Sequence, residues 1–203
     1  MTAPEELPET AGAGYAQRLQ RLEGARWKQL LNVQAPYRWN LRRMSLGRTL
    51  DVGCGIGRNL LNLPDGVGVD HNATAVQVAR SRGLVAYTVE ELATAPDAKP
   101  GSFDSMLLAH VVEHMTEPEG VSLVRGYLPY LRPGGRVVCI TPQERGWTTD
   151  ATHVRFVGYP ELDALAAALG LTVERRGSFP FPRWAGRMFP YNEFVVVAAL
   201  TPC

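Results

Sequence analysis

The chain has 203 residues, 45% hydrophobic and 20% charged, which suits one domain with a full-sized core and leaves little for a second. Its 21 Lys and Arg nearly balance 20 Asp and Glu, so the formal net charge of +1 gives no global field to recruit nucleic acid or an anionic membrane, and neither is expected as a partner. Three cysteines make no disulfide framework and no apolar run approaches a membrane span, so a cytoplasmic location is expected.

Residues 1–14 are acidic and rich in Pro and Ala, with almost nothing to bury, which predicts a disordered tail ahead of a single domain over 15–203. From Tyr15 to Asn32, Leu19, Leu22, Leu30 and Leu31 recur with Trp27 at helix-compatible spacing. Pro36 breaks that pattern, and a second helix is predicted from Tyr37 to Ser45, carrying Arg38, Trp39, Arg42 and Arg43. Together they form a helical cap over 15–46, which either shapes a ligand site or covers a sheet edge with a solvated basic face.

The stretch Thr49-Leu50-Asp51-Val52-Gly53-Cys54-Gly55-Ile56-Gly57-Arg58-Asn59 sets a short apolar strand against three alternate glycines and a helix-like run. Such a loop lets backbone approach a ligand closely at the strand's carboxyl end. Dinucleotide binders want G-x-G-x-x-G, but here the third glycine comes one residue early. Asp51 would also repel a pyrophosphate, whereas it can hold an ammonium group. A second strand ends at Asp70, suited to accept from ribose hydroxyls. The better ligand is an amino acid joined to a nucleoside, without phosphate.

Beyond the loop, short apolar strands alternate with helical stretches, predicting a doubly wound, mostly parallel α/β sheet with helices on both faces. Strands are expected near Thr49–Val52, Gly66–Asp70, Val85–Thr88, Phe103–Ala109, Arg136–Thr141, Leu171–Gly177 and Asn192–Leu200. Helices are expected at Ala73–Ser81, Val111–Met115, Pro118–Tyr130 and Tyr159–Leu169.

Four features in this order resemble the class I S-adenosylmethionine-dependent methyltransferases: the D-V-G-C-G-x-G loop, Gly101-Ser102-Phe103-Asp104 before an apolar strand, His110-Val-Val-Glu-His114, and Leu131-Arg132-Pro133-Gly134-Gly135 before another. The resemblance covers about Thr49 to Leu169. It implies a Rossmann-like sheet of seven strands with the last one inserted antiparallel, and S-adenosylmethionine as cofactor. It assigns the methionine end to Asp51, Gly53, Cys54 and Gly55 with Arg58 behind, the ribose to Asp70, an adenine flank to His71, and the sulfonium region to Ala109 and His110. Relatives often carry an aspartate after the third strand; Thr88 stands there, so Val89 and Glu90 are the substitutes.

Methyl transfer to a hydroxyl needs a base or a metal that acidifies it. The candidates follow the fifth strand, where Asp150 and His153 form either a base with its orienting acid or two ligands of a Mg²⁺-like ion, with Glu144 a third. The run from Asp150 to Phe156 resembles a segment of methyltransferases acting on sugars and polyols. His110 to His114 also matches the zinc-hydrolase pattern H-x-x-E-H, but His110 ends a strand and no third ligand is evident, so His114 is expected to be structural. Trp147, Phe181, Trp184 and Tyr191 offer flat faces to an acceptor.

The expected activity is therefore O-methylation of a small or oligosaccharide acceptor, with a sugar favoured. A quinone-like or other natural-product scaffold is the enzymic alternative, and a non-catalytic cofactor-binding subunit the other. A second copy, in a homodimer, is the one protein partner considered.

Overall fold

Period-2 alternation in the central strands fills two cores at once. In β5 (Leu131–Pro142) Val137 and Cys139 join one core while Val138 and Ile140 join the other; β7 (Glu193–Leu200) repeats the pattern with Val196 and Ala198 against Val195 and Val197. Strands buried on both faces read as near-continuous apolar runs, as these do.

The computed structural model describes residues 35–200, with side chains from Tyr37 onward. It contains α1 (Ala35–Arg43), β1 (Arg48–Val52), β2 (Asp65–Asp70), α2 (Ala73–Ser81), β3 (Ala86–Thr88) and the single turn α3 (Val89–Leu92). Then come β4 (Phe103–Ala109), α4 (Glu117–Tyr127), β5, the single turn α5 (Glu144–Trp147), α6 (Tyr159–Ala168), β6 (Leu171–Phe179) and β7. One sheet holds all seven strands in the order β3-β2-β1-β4-β5-β7-β6. β1 to β5 are parallel, and β7 is antiparallel to both β5 and β6, as the resemblance implied. The expected tail over 1–14 and the helix over 15–32 lie outside the described residues.

Local chemistry starts and stops the helices where they fall. Asn72 caps α2 by accepting from the Ala75 amide at 3.0 Å. α4 opens on a capping box: Glu119 Oε2 accepts from the Thr116 amide at 2.7 Å, with Pro118 in the first turn. Three predictions need correcting. Pro36 lies within the first turn of α1 as described, where a missing N–H costs little, instead of ahead of the helix. Val111–Met115 is a 3₁₀ turn over Val112–His114. The helix expected behind the glycine loop is also a 3₁₀ turn, Leu60–Asn62, with Pro64 close behind, so no helix dipole points at the loop.

β1 and β4 are neighbours although their connections leave toward opposite edges of the sheet. That switch point, at the carboxyl ends of the strands, is where open α/β sheets form a ligand crevice.

Candidate active site

The loop after β1 lies at the switch point, and its backbone explains its composition. Gly53, Gly55 and Gly57 all have positive φ, at 75°, 52° and 82°. At Gly53 space is short as well, because a Cβ there would stand 2.6 Å from Val111 Cγ2. Gly53→Ala should therefore cost about 2–3 kcal/mol, from the left-handed conformation and the displaced Val111. A urea midpoint within error of wild type would contradict this.

Asp51, the penultimate residue of β1, has no exposure. Oδ1 accepts from Asn59 Nδ2 at 3.3 Å, while Oδ2 has no hydrogen bond among the described residues. Burial, resisted by the Asn59 bond and reinforced by the negative charge of Asp70, pushes this carboxyl up to about 7. An orphaned buried acceptor of that kind fits an incoming ammonium group. Asp70 ends β2 and takes one amide on each oxygen, from Gly55 at 2.7 Å and from Asn72 at 2.8 Å. A carboxylate has about four acceptor sites, so capacity remains for a diol. His71 is exposed, its Nδ1 3.5 Å from Asp70 Oδ1.

At the end of β3, Thr88 caps α3 in a box with Glu91, and Glu91 is further held by Arg80. Val89 and Glu90 are left exposed at this edge, as a base-binding rim requires. Cys54 is buried against Gly68, and burial drives its thiol far above the ordinary range, so only its backbone is available to a ligand. Arg58 is exposed, and its charge acts on the Tyr37 hydroxyl.

The strongest cluster lies across the crevice, where β4 gives way to a turn. Ala109 is buried, and His110 follows with φ of 59°, an uncommon conformation that histidine tolerates better than most residues. The His110 ring sits between two acids, Nε2 2.8 Å from Glu193 Oε1 and Nδ1 3.3 Å from Glu113 Oε1. Burial disfavours the charged ring, but the bonds to Glu113 and Glu193 outweigh it and raise the imidazole to about 10. Glu113 is fully buried; beyond the His110 contact on Oε1 its second oxygen, Oε2, has no hydrogen bond among the described residues, and neither has Glu193 Oε2. From α1, Tyr37 donates to Asn59 Oδ1 at 3.0 Å. Burial, then the negative charges of Glu193, Asp51 and Glu113, hold its hydroxyl well above the usual phenol value, so those acids surround it.

The loop after β5 is assembled differently from the expectation. Asp150 Oδ1 accepts from the amide and hydroxyl of Thr152, building a turn. The His153 ring is oriented by the Trp147 carbonyl, 2.7 Å from Nδ1. Glu144 pairs with Arg183. Thus Asp150, His153 and Glu144 are not gathered around one point; His153 instead meets His114, ring centroids 4.9 Å apart. Sequence reasoning missed Glu193 altogether. Its signal was an acid opening an otherwise apolar strand.

A parallel sheet with an antiparallel strand inserted next to its edge, and a glycine loop between two acids at the switch point, define an α/β domain built to hold a nucleoside-bearing ligand. Residues 50–139 match the family model described as a methyltransferase domain. Over that stretch the chain is thus similar to methyltransferase domains, and its fold is the Rossmann-like one of the S-adenosylmethionine-dependent methyltransferases. It is similar to the ubiquinone biosynthesis O-methyltransferase of Cupriavidus pinatubonensis, 34% identical over 103 residues that make up 46% of this chain and 41% of that protein. The counterpart from Pectobacterium carotovorum is 32% identical over 99 residues, 44% of this chain and 41% of the relative. The chain therefore spans about two fifths of the length of these curated relatives. Among solved structures, a SAM-dependent methyltransferase from Archaeoglobus fulgidus superposes with a TM-score of 0.61 at 17% identity, covering 91% of this chain and 99% of that one. At such identity the likeness speaks for the fold alone. Among the described residues no helix is long and apolar enough to cross a membrane.

Proposed function

We propose that the chain transfers the methyl group of S-adenosylmethionine to a hydroxyl on a flat ring of the phenol or quinol type. The carrying observation is Glu193, a buried carboxylate held by His110 at 2.8 Å with its second oxygen unpaired. Bound at the switch point, the cofactor would supply a methyl carbon already activated by positive sulfur. Asp51 accepts from the cofactor's ammonium and Asp70 from its ribose; Val89 and Glu90 line the adenine edge. Glu193 Oε2 takes the acceptor's proton as the oxygen attacks, while His110 keeps that carboxylate in place.

Acid strength decides between acceptors. A phenol, near 10 like tyrosine, gives up its proton about 8 kcal/mol more easily than a hydroxyl resembling water, near 15.7. A lone carboxylate base suits the first. Flat apolar faces are also at hand: Phe181 and Tyr191 are exposed and linked through Phe189, and the Phe181 amide donates to the side chain of Asn192, next to Glu193. The names of the curated relatives are compatible with this acceptor class. The sugar reading drew on the Asp150 to Phe156 segment, several of whose polar side chains are engaged in internal bonds: Thr152 Oγ1 donates to Asp150, His153 Nδ1 to the Trp147 carbonyl and Arg155 Nε to the Met115 carbonyl.

The test is transfer from labelled S-adenosylmethionine to a panel of catechols, quinols, sugars and amines. Transfer to the first two sustains the proposal. Transfer confined to sugars or amines overturns it.

A further inference from the structure

The turn after β4 and the loop after β5 bring together three side chains, two of them, His114 and His153, with no part in the transfer described above. One ligand atom from each of Glu113, His114 and His153 lies within 4.8 Å of the others. Glu113 is fully buried; Oε1 faces His110 Nδ1 at 3.3 Å, while Oε2 has no hydrogen bond among the described residues, leaving room for a cation on that oxygen. The two rings are already oriented. His114 Nδ1 is 3.1 Å from the Thr152 carbonyl and His153 Nδ1 is 2.7 Å from the Trp147 carbonyl. A carbonyl only accepts, so the proton sits on Nδ1 of each ring and the neutral ring's lone pair is on Nε2. Metal-binding histidines are prepared in this way, with the remote nitrogen tied to a backbone oxygen.

We propose that Glu113, His114 and His153 bind one divalent transition ion of the Zn²⁺ type. Two imidazoles and a carboxylate suit such a borderline cation better than Mg²⁺, which prefers oxygen ligands. The set differs from the Asp150, His153 and Glu144 trio expected from sequence, and it uses the second half of the H-x-x-E-H run with His153 as the missing third ligand. Ligands about 2.0–2.2 Å from zinc stand roughly 3.4 Å apart in a tetrahedron, so atoms that lie within 4.8 Å of one another close by up to about 1.4 Å on binding. The half-buried loop that carries His153 would have to shift by that much with its bond to the Trp147 carbonyl kept. The ion would tie the loop after β5 to the turn that carries His110. Its existence does not depend on the acceptor, or on methyl transfer at all.

The test is a titration of the full chain, freed of metal by chelator, with Co²⁺ followed by visible absorption. One equivalent should develop the intense bands of four-coordinate cobalt, and Zn²⁺ should bleach them. His114→Gln and His153→Gln should each weaken Co²⁺ binding by roughly 100-fold. Glu144→Gln should leave it unchanged. Failure of the wild-type chain to develop the bands overturns the site, whatever the variants do. Bands that persist at full strength in both folded histidine variants, checked by circular dichroism, overturn the assignment.

Discussion

Asp51→Asn should make the free protein more stable while removing most of its affinity for S-adenosylmethionine. The Asp51 carboxyl is at about 7 in the folded chain against an ordinary value of 3.8, so the folded state binds its proton more tightly than the unfolded state does. Between those two values stability falls as pH rises, and above about 7 the full penalty is present. At pH 8 it is on the order of 4 kcal/mol, and an uncharged amide of the same shape removes it. With about 2–4 °C of melting temperature per kcal/mol for a chain of this size, the variant should melt roughly 10 °C higher at pH 8 and show no gain at pH 4. Affinity should move the other way, falling roughly 100-fold for loss of a buried charge partner. In the wild type it should weaken below pH 7 by up to about tenfold per unit, as Asp51 takes up a proton. Calorimetric melting and titration with S-adenosylmethionine at pH 6 and pH 8 measure both. A variant that binds normally would show that Asp51 does not meet the ammonium group.

Glu193→Gln should separate chemistry from binding. The amide keeps the shape and a hydrogen bond to His110, but it accepts no proton. Turnover on a phenolic acceptor should drop by roughly 10²–10⁴, while cofactor affinity stays near wild type, because no cofactor group reaches Glu193 in the proposed arrangement. Unchanged turnover would remove Glu193 from the mechanism. A joint loss of turnover and cofactor affinity would make it part of the cradle.

Much of the cofactor half was legible because it depends on local chemistry. Glycines that must adopt positive φ leave a spacing that can be read directly, and Asp51 and Asp70 stand at or next to the carboxyl ends of short apolar strands. The helix behind the loop was not legible in that way, since Pro64 cuts short a pattern that otherwise continues. The acceptor half depends on distance along the chain. His110 meets Glu193 across 83 positions, and His114 meets Thr152 across 38, and no period in the sequence reports such pairs. Asp150 and His153, neighbours in sequence, bond to Thr152 and to the Trp147 carbonyl respectively, partners that the spacing alone does not report.

Gln143 shows what holds the acceptor half in place. It is fully buried, donates to Ser178 and to the Glu193 carbonyl at 2.9 Å each, and accepts from Asn192 at 2.9 Å. A Cβ on Gly186 would overlap it, at 1.8 Å from Oε1, so that glycine gives it room.

Because β7 slots between β5 and β6, Glu193 reaches His110 only once the last strand has entered the sheet. During synthesis the cradle residues leave the ribosome well before it. In the proposed mechanism the proton acceptor thus joins the site with closure of the sheet.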